Sequence, residues 1–292
     1  MSSEAPGYIG PYRLLNVVNT GQTSQIWQAY HDGKKQFFGV KNLLDKFRRD
    51  REQVGYLRWE HVVGSKMDHE RIIRIFEFEV DRGNPYLAME WFSAPNLKQW
   101  IRQRLEDIEH LMPRIIEQST EAVAYFNSQG WIHRDIKPDN FLVSETGDVK
   151  LIDFALAQKK KRGLGKLIPT RSKVQGTRSY MAPEQIRGEP LDQRSDLYSL
   201  ACTIYELVAG KPPYTGASAN ELLMKHLRSP PPAVEAANHK ITSEFGQLLR
   251  RAMAKDPANR PNSAEDFLTA VRMTRLFRQT PRPPKKVEKQ SG

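Results

Sequence analysis

Eight consecutive residues, His133-Arg134-Asp135-Ile136-Lys137-Pro138-Asp139-Asn140, gather two carboxylates, two cations, an imidazole and an amide. A further carboxylate, Asp153, follows the apolar run VKLI, and a lysine, Lys41, ends the earlier run Phe38-Gly39-Val40-Lys41. These residue types suit phosphoryl transfer. That reaction asks little covalent chemistry of a protein: phosphates must be held, their charge offset, and an accepting hydroxyl oriented. A lysine, oxygen donors for a divalent cation, and one carboxylate near the acceptor meet those three needs.

Elements must position these groups. Phe76 to Val80 alternates apolar and polar residues, the pattern of a half-buried strand. Asp81-Arg82-Gly83-Asn84 is turn chemistry, and PYLAMEWF reads as a second strand. Gln36 to Lys41 predicts another strand, and the charged, proline-free stretch Asp45 to Met67 predicts a helix. Beyond residue 95 helical patterns dominate. Pro113 suits a helix start and Gly130 a helix end. Residues 141–152, FLV-SETGD-VKLI, predict a hairpin turning at Gly147. From Asp196 to Ala209, Leu197, Leu200, Ala201, Ile204, Leu207 and Val208 fall on one broad apolar face, and Gly210 supplies the stop. Ser263 with Asp266 resembles a capping box before a last helix. Two segments carry few apolar residues: about Lys159 to Arg178, and the Pro- and Lys-rich tail TPRPPKKVEKQSG, which is predicted disordered.

Composition bounds the function. The 292 residues suffice for a sizeable core, and 39% hydrophobic with 27% charged residues is a globular balance, not a disordered one. No run of eighteen apolar residues occurs, so no membrane-spanning helix is expected. The opening MSSEAPGYIG has neither the basic nor the apolar region of a secretory signal. Cys202 is the sole cysteine, which excludes an internal disulfide or a Cys-based zinc site. Its context LACTIYELV predicts a buried, inert thiol. Together these features predict a cytoplasmic protein. A net charge of +11 can signal nucleic acid, anionic surfaces or acidic partners. The charge is dispersed and no compact nucleic-acid motif is present, so nucleic acid is not an expected partner.

On the motif HRDIKPDN, followed by Asp153-Phe154-Ala155, the sequence resembles the protein kinase family. The resemblance covers about residues 10 to 275. It implies that Asp135 accepts the proton of the substrate hydroxyl, and that Asn140 and Asp153 hold Mg²⁺ on the phosphates of ATP. Lys41 would hold the phosphates and needs an anionic partner. Glu60, nine residues before His69, is the family's candidate, with Glu52 the alternative. Gly176-Thr177 and Met181-Ala182-Pro183-Glu184 resemble the end of an activation segment. By the same likeness Glu184 pairs with Arg260 of the DPANRP motif, and Asp196 anchors the catalytic loop. The adenine would be covered by Val18, Ile26 and Gly39 above and Leu142 below. Met89 resembles the gatekeeper, and the backbone of Glu90 and Phe92 would meet the adenine edge. Lys137 and Thr177 mark serine/threonine specificity. The wording of GTRSYMAPEQIRGE and KPPYTG resembles bacterial kinases of the eukaryotic type.

Some positions depart from the family. Asn19 to Ile26 replaces the glycine-rich phosphate loop and keeps only Gly21, which predicts weaker or slower ATP binding. Ala155 replaces a glycine, and its Cβ predicts an activation segment that flips less readily. Inhibitors selective for the flipped state, compared on Ala155→Gly and wild type, test that. The segment is also basic, with Lys159, Lys160, Lys161, Arg162, Lys166, Arg171, Lys173 and Arg178. Two readings stand open. Phosphorylation at Thr170 or Ser172 could order the segment through Arg134, or the segment is a solvated basic loop that favours acidic substrates. The activity of the double variant Thr170→Ala, Ser172→Ala separates them.

The resemblance implies an α+β, bilobal protein-kinase fold: an extension over 1–9, an N-lobe over 10–92, a C-lobe over 93–277 and a basic tail over 278–292. The N-lobe is expected to be a five-stranded antiparallel sheet with one long helix, the C-lobe mainly helical, with ATP between them. Expected partners are protein substrates, acidic ones among them, and a second copy of the chain for autophosphorylation. The competing function is a pseudokinase scaffold that keeps the fold without catalysis.

Overall fold

The computed structural model describes residues 7–103, 105–160 and 176–283. Two compact units emerge: Met1–Ser93 with Ile152–Ala157, and Ala94–Leu151 with Gln158–Gly292.

The first unit is an antiparallel sheet of β1 (Tyr8–Ile9), β2 (Tyr12–Thr20), β3 (Ser24–His31), β4 (Gln36–Leu43), β5 (Ile75–Asp81) and β6 (Asn84–Glu90). Their order is β1-β2-β3-β4-β6-β5. Side chains alternate across a strand, so register decides which residues share a face. Ile26 pairs with Lys41, Lys41 with Leu87, and Gly39 with Met89. These five therefore line one face. The opposite face carries Ala29, Phe38, Val40, Tyr86 and Ala88, which close a small core with Ile9 and Tyr12. The sheet has six strands where five were expected. The added strand, Tyr8–Ile9, is too short to show alternation and is held by the buried Ile9.

The helix expected over Asp45 to Met67 is shorter. Asp45–Phe47 forms a 3-10 turn, and α1 runs over Arg51–Gly64. Asp50 is the reason: its carboxylate accepts from Glu52 N (2.9 Å) and Gln53 N (3.3 Å), which fixes the helix start there. The β5–β6 turn is tight, with Arg82 (φ 47) and Gly83 (φ 82) both left-handed.

The second unit is mainly helical: α2 (Leu97–Gln103), α3 (Leu105–Ile108), α4 (Met112–Ser128), α5 (Pro183–Arg187), α6 (Gln193–Ala209), α7 (Ala219–Arg228), α8 (Val234–Ala237), α9 (Ser243–Ala252) and α10 (Ala264–Met273). Pro113 lies in the first turn of α4, where its missing N–H is harmless. The central helix α6 starts at the Asp192 cap and is buried along most of its length, ending where Gly210 turns left-handed. Ser263 Oγ accepts from Asp266 N (3.0 Å) at the start of α10. Short strands β7 (Trp131–Ile132) and β10 (Gln158–Lys159) pair, as do β8 (Phe141–Val143) and β9 (Val149–Leu151). The chain is still tied down at Arg278, whose N–H donates to the Lys240 carbonyl (2.8 Å). No helix among the described residues is long and apolar enough to cross a membrane.

Candidate functional site

In the first unit the sheet face described above presents Lys41. Its Nζ lies 2.7 Å from Glu60 Oε2 on α1 and 3.5 Å from Asp153 Oδ1. Glu52, the alternative partner, is exposed and accepts from Tyr56 Oη instead (3.1 Å). Burial works against the charge on Lys41, but the carboxylates of Asp153 and Glu60 hold its pKa above the ordinary lysine value. Burial pushes Glu60 up to about 7, with Lys41 pulling the other way and Asp153 adding to the rise. Asp153 adopts a left-handed backbone, φ 66, a conformation that costs a non-glycine residue of order 1–3 kcal/mol. Two contacts brace its segment against α1. Trp59 Nε1 donates to Ala157 O (2.8 Å), and Gly64 comes so close to Phe154 that an added Cβ would sit 2.9 Å from its ring. Ala155 is not among the left-handed residues, so its side chain is accommodated without backbone strain.

The other first-unit residues of the predicted adenine set are Val18, Ile26, Gly39, Met89, Glu90 and Phe92. Gly39 and Met89 are buried, Ile26 and Phe92 half-buried, and Val18 is 52% exposed. The Glu90 N–H is committed to Arg74 O (2.8 Å), so an adenine edge can draw only on its carbonyl. Gly21, in the β2–β3 turn, donates to Ser24 O (2.8 Å). Its φ is not left-handed, and a Cβ there would meet nothing nearer than 3.4 Å.

In the second unit the sequence around Asp135 folds into a hydrogen-bonded cluster. Asp135 Oδ1 accepts from Thr177 N (2.9 Å) and Thr177 Oγ1 (3.1 Å), while Lys137 Nζ reaches Asp135 Oδ2 (2.6 Å) and Thr177 Oγ1 (2.9 Å). Asn140 Nδ2 donates to the Asp135 carbonyl (2.8 Å), which leaves the amide oxygen as its outward end. Leu142 lies half-buried in β8. Below the cluster Asp196 accepts from His133 N (2.8 Å), Arg134 N (2.9 Å) and Asn127 Nδ2 (2.8 Å). Those bonds hold Arg134 at φ 69. Burial raises the Asp196 pKa, against His133 and these same donors. Glu184 and Arg260 form a bidentate pair at 2.7 and 2.8 Å, fully buried on the arginine side.

Thr170 and Ser172 lie outside the described residues. Sequence reasoning missed several supports: Asn127, Gln185, whose Nε2 donates to Arg134 O (2.9 Å), and the half-buried Lys98 with the buried Tyr180 and Glu206. Polar residues inside apolar helical runs, such as Glu206 in α6, were the available signal. Gly176 was noted only for its motif. Its φ is 118, and a Cβ would meet Arg134 O and Gln185 Nε2 at 3.0 Å each, so this position requires glycine.

Both donor sets fit magnesium. It prefers oxygen ligands, keeps water and phosphate oxygens, and needs only one or two protein groups. Asp153 offers a carboxylate and Asn140 an amide oxygen. No cluster of three or more His, Cys, Asp or Glu able to hold a metal occurs among the described residues.

Residues 12–271 match the protein kinase domain family. The chain is 32% identical over 281 residues to serine/threonine-protein kinase PknA of Mycobacterium tuberculosis, covering 94% of this chain and 63% of PknA. It is 30% identical over 260 residues to serine/threonine-protein kinase PrkC of Bacillus subtilis, covering 88% of this chain and 39% of PrkC. It thus spans less than two thirds of these relatives. The crystal structure of the Mycobacterium tuberculosis PknI kinase domain shares the fold, with a TM-score of 0.70 at 22% identity over 94% of this chain and 99% of that one. With its domain matched from residue 12 to 271, the chain belongs to the protein kinase family.

Proposed function

We propose that the chain transfers the γ-phosphoryl group of ATP to serine and threonine hydroxyls of proteins, other copies of itself among them. The observation that carries this reading is the Asp135 carboxylate. It is held through one oxygen by Thr177 (2.9 and 3.1 Å) and faces Lys137 with the other (2.6 Å). A carboxylate so fixed can orient an alcohol and take its proton. The acceptor oxygen then bonds to the γ-phosphorus as the bond to the bridging oxygen breaks, leaving ADP, and the proton stays on Asp135. Lys137 offsets charge on the phosphoryl group in transit. Lys41 holds the phosphates and is itself kept charged by Glu60 and Asp153. When bound, Mg²⁺ offsets phosphate charge, and Asp153 and the Asn140 amide oxygen would hold it. Ile26, Gly39, Met89 and Leu142 would enclose the base, with Val18 at the rim.

The second reading, a scaffold without catalysis, has in its favour the reduced phosphate loop. The intact set of Lys41, Asp135, Asn140 and Asp153 speaks against it. The need for ATP fits a cytoplasmic domain, and the basic segment fits acidic substrates. The test is autophosphorylation with Mg·ATP. Asp135→Asn should lower the rate about 10²- to 10⁴-fold, the range of a lost general base. Undiminished labelling in that variant would sink the proposal.

A further inference from the structure

Beyond α10 the fold sets two like charges opposite each other. The Arg278 N–H donates to Lys240 O (2.8 Å), the Thr242 N–H donates to Leu276 O (3.0 Å), and Ile241 pairs with Phe277 in an antiparallel bridge. In that register Lys240 and Arg278 face one another. Cβ atoms so placed are about 5 Å apart, and like charges there are destabilising. The two cations are compensated differently. Lys240 is held by both oxygens of Glu109, at 2.7 and 2.9 Å. Arg278 gives its Nε to Ile241 O (3.2 Å) and has no carboxylate partner among the described residues. Glu235 feels its charge but is bonded to Arg250 (2.7 Å).

A cavity of about 510 Å³ opens at this place. Lys240, Arg278 and Arg282 line it, with His239, Thr280 and a single carboxylate among the described residues, Glu109. The three cations are exposed, and Arg282 makes no ion pair among the described residues. Glu109 is spent on Lys240, so the cavity keeps two guanidinium groups without a counter-charge. A guanidinium presents parallel N–H donors that fit phosphate oxygens. A phosphate monoester carries about −1.5 to −2 at neutral pH, which matches two guanidinium groups at one point, whereas a carboxylate would leave one unmatched. Thr280 adds a hydroxyl donor. The cavity falls in the range of small-ligand sites, about 300–1,000 Å³, so it has room for the side chain that carries a phosphate as well as for the phosphate. A flat anionic surface would need no cavity.

We propose that this cavity, which shares no residue with the Asp135 cluster, is a second binding site that takes a phosphorylated serine or threonine of a protein. The site stands without the phosphotransfer reading above; only the source of the phosphate, a substrate or a second copy of the chain, rests on that reading. Fluorescence anisotropy with the full chain tests it, using a labelled peptide with one threonine, phosphorylated or not. Wild type should bind the phosphopeptide roughly tenfold tighter, the size of one charge-assisted hydrogen bond. Arg278→Glu should remove the difference. Glu109→Gln should bind the phosphopeptide roughly two- to fivefold tighter than wild type, because it frees Lys240 and removes the opposing charge. A variant that merely unfolds gains no affinity, so this arm decides even if Arg278→Glu is unstable. Equal binding of both peptides by wild type, a preference that survives Arg278→Glu, or no gain in Glu109→Gln overturns the proposal. Inorganic phosphate that binds as tightly as the phosphopeptide also overturns it, since the cavity would then take the bare ion. Vesicles of phosphatidylserine that bind wild type but not Arg278→Glu, with no phosphopeptide preference, would make this a membrane face and overturn it too. Loss of autophosphorylation with phosphopeptide binding intact would sink the phosphotransfer reading alone.

Discussion

At the scale of single residues, burial decides which ionisable groups can act. Burial pushes the Cys202 thiol up to about 12, so it stays protonated and is no nucleophile. His226 is fully buried, its Nδ1 3.0 Å from the Tyr198 hydroxyl and its ring 4.9 Å from that of Tyr214. Burial, then the charge of Lys255, lowers its pKa to about 4 from 6.5. The unfolded chain therefore binds a proton here between pH 6.5 and 4 that the folded chain refuses. The stability this group contributes is present above pH 6.5 and is lost as pH falls through 4. By pH 5 the loss should be of order 2 kcal/mol. Chemical denaturation of wild type and His226→Gln at pH 7 and pH 5 measures it; an equal drop in both proteins would rule His226 out.

At the scale of elements, a few buried polar pairs fasten helices to loops. Arg260 bonds Glu184 bidentately and also donates to the carbonyls of Ala254, Arg194 and Lys255. Removing one partner of a buried pair leaves a charge uncompensated, at a cost of about 3–5 kcal/mol. Arg260→Met should lose that much in a urea titration, and adding Glu184→Leu should recover part of it. Equal losses in the single and double variants would mean that the carbonyl bonds, not the ion pair, carry the stability. The same logic explains Asp196. One carboxylate satisfies the N–H groups of His133 and Arg134 and the Asn127 amide, and so fixes the backbone that presents Asp135.

At the scale of the molecule, the formal net charge is +11. Such a charge raises encounter rates with acidic proteins and weakens with salt. The screening length falls from about 30 Å at 0.01 M to about 10 Å at 0.1 M ionic strength. Over that range kcat/KM toward an acidic protein substrate should fall several-fold, while that toward a short neutral peptide changes less. Equal salt dependence of the two would mean that the charge steers no substrate.

The sequence by itself determined the family, the order of the motif residues and most elements, because each rests on short-range signals. A period of two marked the strand Ile75–Asp81, a broad apolar face marked the helix Gln193–Ala209, and a compact motif marked Asp135, Lys137 and Asn140. Tertiary structure decided the rest. It joined Lys41 to Glu60 rather than Glu52, cut the first helix back to the Asp50 cap, and added the two-residue strand Tyr8–Ile9. It also brought Lys98 onto Glu206 across 108 positions. No local pattern carries such pairings. A buried charge must find a partner, and which partner it finds depends on which elements pack together.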